Sequence, residues 1–142
     1  MTEQNGGDAV PSLEWCNTAL SVAPFHTWLG LEAVRVTRTE LQLRMPWRPE
    51  IVSNPRIGSA HGGVLGSLID LTGFYVLLVN QHRVSATANL VVDYHRPATD
   101  GPLHAAAQLI KVGRRLSTAQ TEIRSADGEL LASGRGAYLM SE

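Results

Sequence analysis

The hydrophobic pattern divides the chain into one long apolar segment and several segments of strand length. Residues 62–80 are apolar at most positions, which predicts a central helix enclosed by other elements and not one lying on a surface. Residues 28–37 and 40–45 are predicted to form a strand pair, because apolar and polar positions alternate in the second of them. Four further strands, separated by turn signals, are predicted to form an antiparallel meander over residues 84–95, 103–112, 115–124 and 129–140. An antiparallel sheet can wrap such a helix on one face, so we predict an α+β fold.

The segments before the central helix have signals of their own. Ser12 follows a proline and precedes apolar residues, which predicts a short helix over residues 12–23 with Ser12 as its cap. Residues 1–10 are polar and lack the basic start and apolar stretch of a signal peptide, so we expect a disordered tail. Residues 46–60 contain three prolines and predict a long loop. We assign residues 11–142 to a single domain.

Composition narrows the possible functions. With 142 residues and 44% hydrophobic content, the chain can bury one proper core. A net charge of -1 leaves no broad basic surface for a nucleic-acid backbone, so small molecules or protein partners are favoured over nucleic acid. The single cysteine, Cys16, suits a reducing compartment and predicts a cytoplasmic protein. The longest apolar run is shorter than the ~20 residues of a membrane span and contains Asp70, so we expect no membrane partner.

The most informative feature is a histidine and two glycines followed by an isolated acid. His61, Gly62 and Gly63 open the predicted helix, and Asp70 lies nine positions after the histidine. A charge inside an apolar helix costs several kcal/mol unless something compensates, which favours a functional role. Nine helical steps place His61 and Asp70 about 13 Å apart along the axis and half a turn around it. If both serve one active site, a second subunit must complete it, and two-fold symmetry is the commonest way to do so.

These residues also carry a family resemblance. The order of elements, the His61-Gly62-Gly63 run with Asp70, and a strand that ends in Tyr94-His95-Arg96-Pro97 resemble the hotdog-fold acyl-CoA thioesterases of the phenylacetate-pathway (PaaI-like) branch. The resemblance covers residues 28–139. It implies a homodimer, often a dimer of dimers, that hydrolyses acyl-CoA between its subunits. We expect no metal and no redox cofactor. Relatives commonly carry an asparagine six residues before the histidine, whereas here Asn54 lies seven residues before it.

The expected chemistry needs an attacking group and an oxyanion donor. The start of the central helix offers free backbone N–H groups, and Gly62 N–H is our candidate donor because glycine has no Cβ to obstruct a substrate. Asp70 is predicted to act as nucleophile or as general base for a water, with Thr87 as a hydroxyl donor to its carboxylate. A thiol leaving group with a pKa of about 8.5 departs as thiolate without a strong general acid. His61 either contacts the substrate or caps the helix.

A second group of residues is predicted to line the substrate site. Small residues around the acid suggest space for a ligand or a facing helix, and arginines could contact coenzyme A phosphates. The candidates are Asn54, Gly63, Gly66, Ser67, Gly73, Arg96 and Arg115.

Two other functions fit the same residues less well. A non-catalytic protein that binds acyl-CoA or acyl-carrier protein could use the same cleft, but binding alone gains nothing from a buried acid. A hotdog hydratase needs a histidine beside an acid, and only Asp93 and His95 could serve. The same two residues with His104 form only a weak metal signal, because no Cys/His cluster supports it.

Overall fold

The computed structural model describes residues 11–142 and has an α+β fold with a long helix against one face of an antiparallel sheet. Its helices are α1 (Leu13–Leu20), α2 (Pro24–Leu29) and α3 (Gly62–Val79). The strands of the large sheet are β1 (Glu32–Val36), β2 (Glu40–Met45), β5 (Val84–Tyr94), β6 (Leu103–Lys111), β7 (Leu116–Arg124) and β8 (Leu130–Met140). Between β2 and α3 lie a 3-10 helix (Pro49–Ile51) and a small hairpin of β3 (Val52–Asn54) and β4 (Ser59–Ala60). The loop predicted over residues 46–60 is therefore partly ordered into regular structure.

The amino-terminal region holds two helices where the sequence predicted one. Ser12 caps α1 as expected, since its Oγ accepts a hydrogen bond from Trp15 N–H at 3.1 Å. α2 starts at Pro24 and ends at Leu29, and it is capped by Gly30, whose φ of 72° is left-handed. Proline at a helix start and glycine just after a helix end are common signals. The strand predicted from residue 28 is thus wrong in its first four residues, and β1 begins at Glu32. The predicted tail, residues 1–10, lies outside the described residues.

The strand order is β1-β2-β6-β7-β8-β5, with antiparallel pairing throughout. The predicted meander is right for β6, β7 and β8 but wrong for β5, which pairs with β8 and forms an edge of the sheet. The connection after β5 does not form a tight hairpin. It is tied instead to β4, because Ala98 C=O accepts a hydrogen bond from Ala60 N–H at 2.8 Å. The turn signal near residue 100 therefore does not pair β5 with β6.

The core lies between α3 and the inner face of the sheet. Fully buried side chains from both layers meet there, among them Leu41, Leu43, Leu68, Ile69, Leu77, Leu103 and Ile123. Length and composition alone would let α3 cross a membrane, as they would for many core helices, but here it packs on its own sheet.

One face of α3 is not covered by the elements of its own chain, whereas the sequence predicted a helix enclosed by other elements. Gly63, Ser67, Asp70 and Phe74 recur at intervals of three or four residues and are exposed or half-buried. Such intervals place side chains on one helical face. We call these four residues the open stripe of α3. Asp70 is the single acid on this stripe.

Candidate active site

The carboxylate of Asp70 is paired with the hydroxyl of Thr87. Thr87 Oγ1 donates a hydrogen bond to Asp70 Oδ1 at 2.7 Å, which joins the open stripe of α3 to the edge strand β5. Asp70 is half-buried and Thr87 is exposed, so the second carboxylate oxygen can be reached by a substrate or a water. A hydroxyl donor holds one oxygen and leaves the other free for chemistry. The structure thus brings together two residues that the sequence placed in one site.

A buried tyrosine fixes the backbone at Asp70. Tyr138 Oη donates a hydrogen bond to Asp70 C=O at 3.1 Å, and burial, followed by the nearby Asp70 charge, raises the pKa of Tyr138. Tyr138 therefore remains a protonated donor. The ring fits between two glycines, because a Cβ on Gly73 or Gly136 would lie 2.1 Å or 2.2 Å from its oxygen. The prediction that Gly73 reserves space for a ligand or a facing helix is wrong, since Tyr138 fills that space.

His61 is the N-cap of α3. Its Nδ1 accepts a hydrogen bond from Gly63 N–H at 2.8 Å, and its C=O accepts one from Val64 N–H at 2.9 Å. This arrangement requires the proton of the neutral ring to sit on Nε2. Of the two roles that the sequence left open, the geometry supplies the cap.

The first turn of α3 keeps one free donor at its tip. Within residues 11–142, no hydrogen bond uses Gly62 N–H, whereas the next two N–H groups are bound to His61. Tyr94 lies beside this turn, and its Oη donates to Gly62 C=O at 2.7 Å. Tyr94 is not among the site residues predicted from the sequence. The sequence signal that could have identified Tyr94 is its place at the start of the Tyr94-His95-Arg96-Pro97 run, which closes β5.

A bulge in β5 makes both Thr87 and Tyr94 face α3. The two residues are seven positions apart, and alternation along a regular strand would point them to opposite faces. On β8, however, Thr87 pairs with Tyr138 and Asn89 pairs with the adjacent Ala137, so Ala88 is an extra residue. A β-bulge of this kind re-aims side chains and is frequent beside active sites.

Three of the residues predicted to line the substrate site, Asn54, Gly66 and Ser67, lie near the first turns of α3 or in the small hairpin before it. Ser67 Oγ donates to Gly63 C=O at 2.8 Å, within the helix itself. Asn54 uses its Oδ1 to accept from Arg56 N–H at 3.1 Å, so this amide oxygen is engaged in its own turn. Gly66 lies under the Tyr94 hydroxyl, with 3.6 Å between that oxygen and a Cβ built on it.

The two candidate arginines lie far apart in one chain. Arg96 lines a shallow pocket with Gly62 and Tyr94 at the tip of α3, and it pairs with Glu129 at 3.8 Å. Arg115 lies beside the other end of β5, because its C=O accepts from Met140 N–H and Met140 pairs with Val84. One chain therefore cannot bring both to the same ligand.

The weak metal signal finds no support in the described part of the chain. His95 Nε2 lies 2.8 Å from Ser133 Oγ and shares a hydrogen bond with it. Between residues 11 and 142, no group of three or more His, Cys, Asp or Glu side chains is placed to hold a metal ion.

Comparisons with known proteins identify the family and the fold. Residues 57–132 match the family model of the thioesterase superfamily. The medium/long-chain acyl-CoA thioesterase YigI of Salmonella typhimurium is 27% identical over 132 residues, which cover 82% of this chain and 85% of YigI. A solved thioesterase-superfamily structure is 39% identical with a TM-score of 0.86, over 91% of this chain and 98% of that one. The PaaI protein of E. coli, from the phenylacetic acid degradation operon, has a TM-score of 0.82 at 22% identity, over 94% and 97% of the chains, and shows a shared fold. The hotdog fold, the family resemblance and thioester hydrolysis as the reaction class are confirmed.

Proposed function

The chain belongs to the thioesterase superfamily, and from this premise we propose that it is an acyl-CoA thioesterase that works as a homodimer. The observation that carries the proposal is the Asp70 carboxylate on the open stripe of α3, held by Thr87 at 2.7 Å. The coenzyme A part of the substrate is supported by the name of a relative, YigI. Asp70 of one subunit and Gly62 N–H of the partner subunit are the two halves of the proposed site.

The reaction follows from these two groups. A carboxylate oxygen of Asp70, or a water that gives its proton to Asp70, attacks the thioester carbonyl carbon. The carbonyl oxygen becomes an oxyanion, which Gly62 N–H and the positive end of the α3 dipole stabilise. The C–S bond then breaks and coenzyme A leaves as a thiolate. If Asp70 is the nucleophile, water hydrolyses the resulting anhydride and returns the carboxylate.

The need for two subunits comes from the helix itself. Asp70 and Gly62 lie eight residues apart on the same straight element, so about 12 Å of helix separates them. A thioester carbonyl cannot touch both groups of one chain. The open stripe of α3 gives a partner subunit a surface to cover.

The free edge of β5 suggests how the partner binds. β5 has 11 residues, ends the sheet and has unpaired backbone groups on one side, which is a template for pairing with a second strand. A two-fold axis at Val91 would place Leu90 opposite the partner's Val92. Both side chains pack against the core, so their faces match. Because Ala88 is the extra residue of the bulge, Thr87 would then lie opposite the partner's Tyr94. This register would bring Asp70 of one subunit, which Thr87 holds, close to Gly62 of the partner subunit, beside which Tyr94 lies.

We propose further that the enzyme needs no metal or redox cofactor and acts in the cytoplasm. The support for the first is the leaving group, since a thiolate departs without Lewis-acid help. The support for the second is the single free cysteine, Cys16, which is buried.

Thiol release from a panel of acyl-CoA substrates tests the activity. We expect turnover by the wild type and its loss in Asp70→Asn, which can still accept the Thr87 hydrogen bond and should fold normally. Tight binding of acyl-CoA without thiol release by the wild type would overturn the proposal in favour of a binding protein.

Cysteine crosslinking tests the proposed register. Val91→Cys should form a disulfide between subunits under mild oxidation, because the two copies of residue 91 would face each other across the axis. Asp93→Cys is the matched control on the same strand and face. Its two copies would be about 13 Å apart, since residue 93 would lie opposite residue 89. Crosslinking of position 93 but not 91 would refute this register.

A further inference from the structure

We propose that Tyr94 is a positioning residue that holds the first peptide unit of α3 and thereby aims Gly62 N–H at the substrate. The inference rests on the proposed function and adds a residue to its machinery. It concerns how a flexible pair of glycines can provide a rigid oxyanion donor.

The peptide unit between Gly62 and Gly63 is clamped at both ends. Its carbonyl oxygen accepts from Tyr94 Oη at 2.7 Å, and its N–H donates to His61 Nδ1 at 2.8 Å. Glycine has more backbone freedom than any other residue, so two glycines in succession would otherwise leave this helix tip variable. The preceding unit, which carries Gly62 N–H, is held through its own carbonyl, since His61 C=O accepts a hydrogen bond from Val64 N–H at 2.9 Å. With both units held, the direction of Gly62 N–H is fixed as well. Preorganised donors of this kind need no rearrangement when the oxyanion forms.

Contact with the tyrosine ring also explains why residue 62 is glycine. A Cβ on Gly62 would lie 3.1 Å from Tyr94 Cζ and 3.2 Å from both Cε1 and Oη, which is closer than ordinary van der Waals contact. From the sequence alone, the missing side chain was expected to make room for the substrate. In the structure, the ring of Tyr94 occupies that side. In the single chain Tyr94 is 55% exposed, and the hydrogen bond from its hydroxyl to Gly62 C=O ties it to the tip of α3.

The single-atom variant Tyr94→Phe removes the clamp and keeps the ring. We expect kcat for thiol release to fall about tenfold, with KM within twofold and the melting temperature unchanged. Tyr75→Phe is the matched control, because Tyr75 lies on α3 itself and its hydroxyl makes no hydrogen bond in residues 11–142. An unchanged kcat in Tyr94→Phe would overturn the inference.

A double-mutant cycle separates the clamp from direct contact with the substrate. Gly62→Ala should lower kcat strongly in the wild-type background, where the new Cβ meets the ring. In a Tyr94→Ala background, the same substitution should have at most a few-fold effect, because the ring is gone. Equal losses in both backgrounds would show that substrate contact requires the glycine and would refute our reading. If the wild type releases no thiol from any acyl-CoA, the proposed function fails and not the clamp.

Discussion

Gly73→Ala should destabilise the protein although alanine is the better helix former. Alanine gains about 1 kcal/mol over glycine inside a helix. Here its Cβ would lie 2.1 Å from Tyr138 Oη and 2.9 Å from Cζ, and the ring cannot retreat because Gly136 confines the same oxygen from another side. Overpacking of this kind costs about 1–3 kcal/mol, and loss of the hydrogen bond from Tyr138 to Asp70 adds about 1 kcal/mol. We expect a net loss of about 2 kcal/mol, or about 4–8 °C in melting temperature.

Gly66→Ala is the control for this prediction, because both glycines lie inside α3. A Cβ on Gly66 meets its nearest neighbours at 3.6 Å and 3.9 Å, so only the propensity gain should remain, up to about 1 kcal/mol. Urea unfolding of both variants measures the difference. Tyr138→Phe should relieve part of the Gly73→Ala penalty, since it removes the atom at 2.1 Å. Equal stabilisation by Gly66→Ala and Gly73→Ala would refute the packing argument.

Three further predictions follow from the contacts around Asp70 and the first helix. Thr87→Val should lower kcat at least tenfold while Thr87→Ser retains most activity, because only serine keeps the donor to Asp70. Ser12→Ala should cost about 1 kcal/mol in urea unfolding, since the cap of α1 is lost. Burial and the Asp70 charge raise the pKa of Tyr138, so its neutral form stabilises the fold fully below pH ~10 and that contribution is lost at higher pH. Wild-type stability should therefore fall more steeply between about pH 10 and pH 12 than that of Tyr138→Phe, as urea titrations at each pH would show.

Local patterns were sufficient for most elements of the fold. The apolar run predicted α3, the alternating residues predicted β2, and Ser12 predicted the start of α1. α2 was missed because its aromatic and β-branched residues favour strands, while its stop signal, Gly30, lies inside the predicted strand. The partner of β5 was missed because pairing with β8 joins residues 38 to 56 positions apart, from Tyr94 with Ala132 to Val84 with Met140, and a turn signal near residue 100 suggested a nearer partner.

The candidate site was predictable in its residue types but not in its contacts. Asp70 stood out as an acid in an apolar helix, and its partner Thr87 came from the family resemblance. The role of Tyr94 depends on the bulge at Ala88, and a single extra residue in a strand leaves no pattern in the sequence. Gly73 was misinterpreted because a missing side chain looks the same in sequence whether a ligand or a tyrosine fills the space.

The composite site is most directly tested by a hybrid dimer. Asp70→Asn and Gly62→Val chains carry different affinity tags, are co-expressed, and are purified as the mixed dimer. Each parent homodimer should be inactive. The hybrid should have about half the wild-type activity, because one of its two sites combines the intact Asp70 of one chain with the intact Gly62 of the other. A hybrid as inactive as its parents would show that each site lies within one chain and would contradict our account.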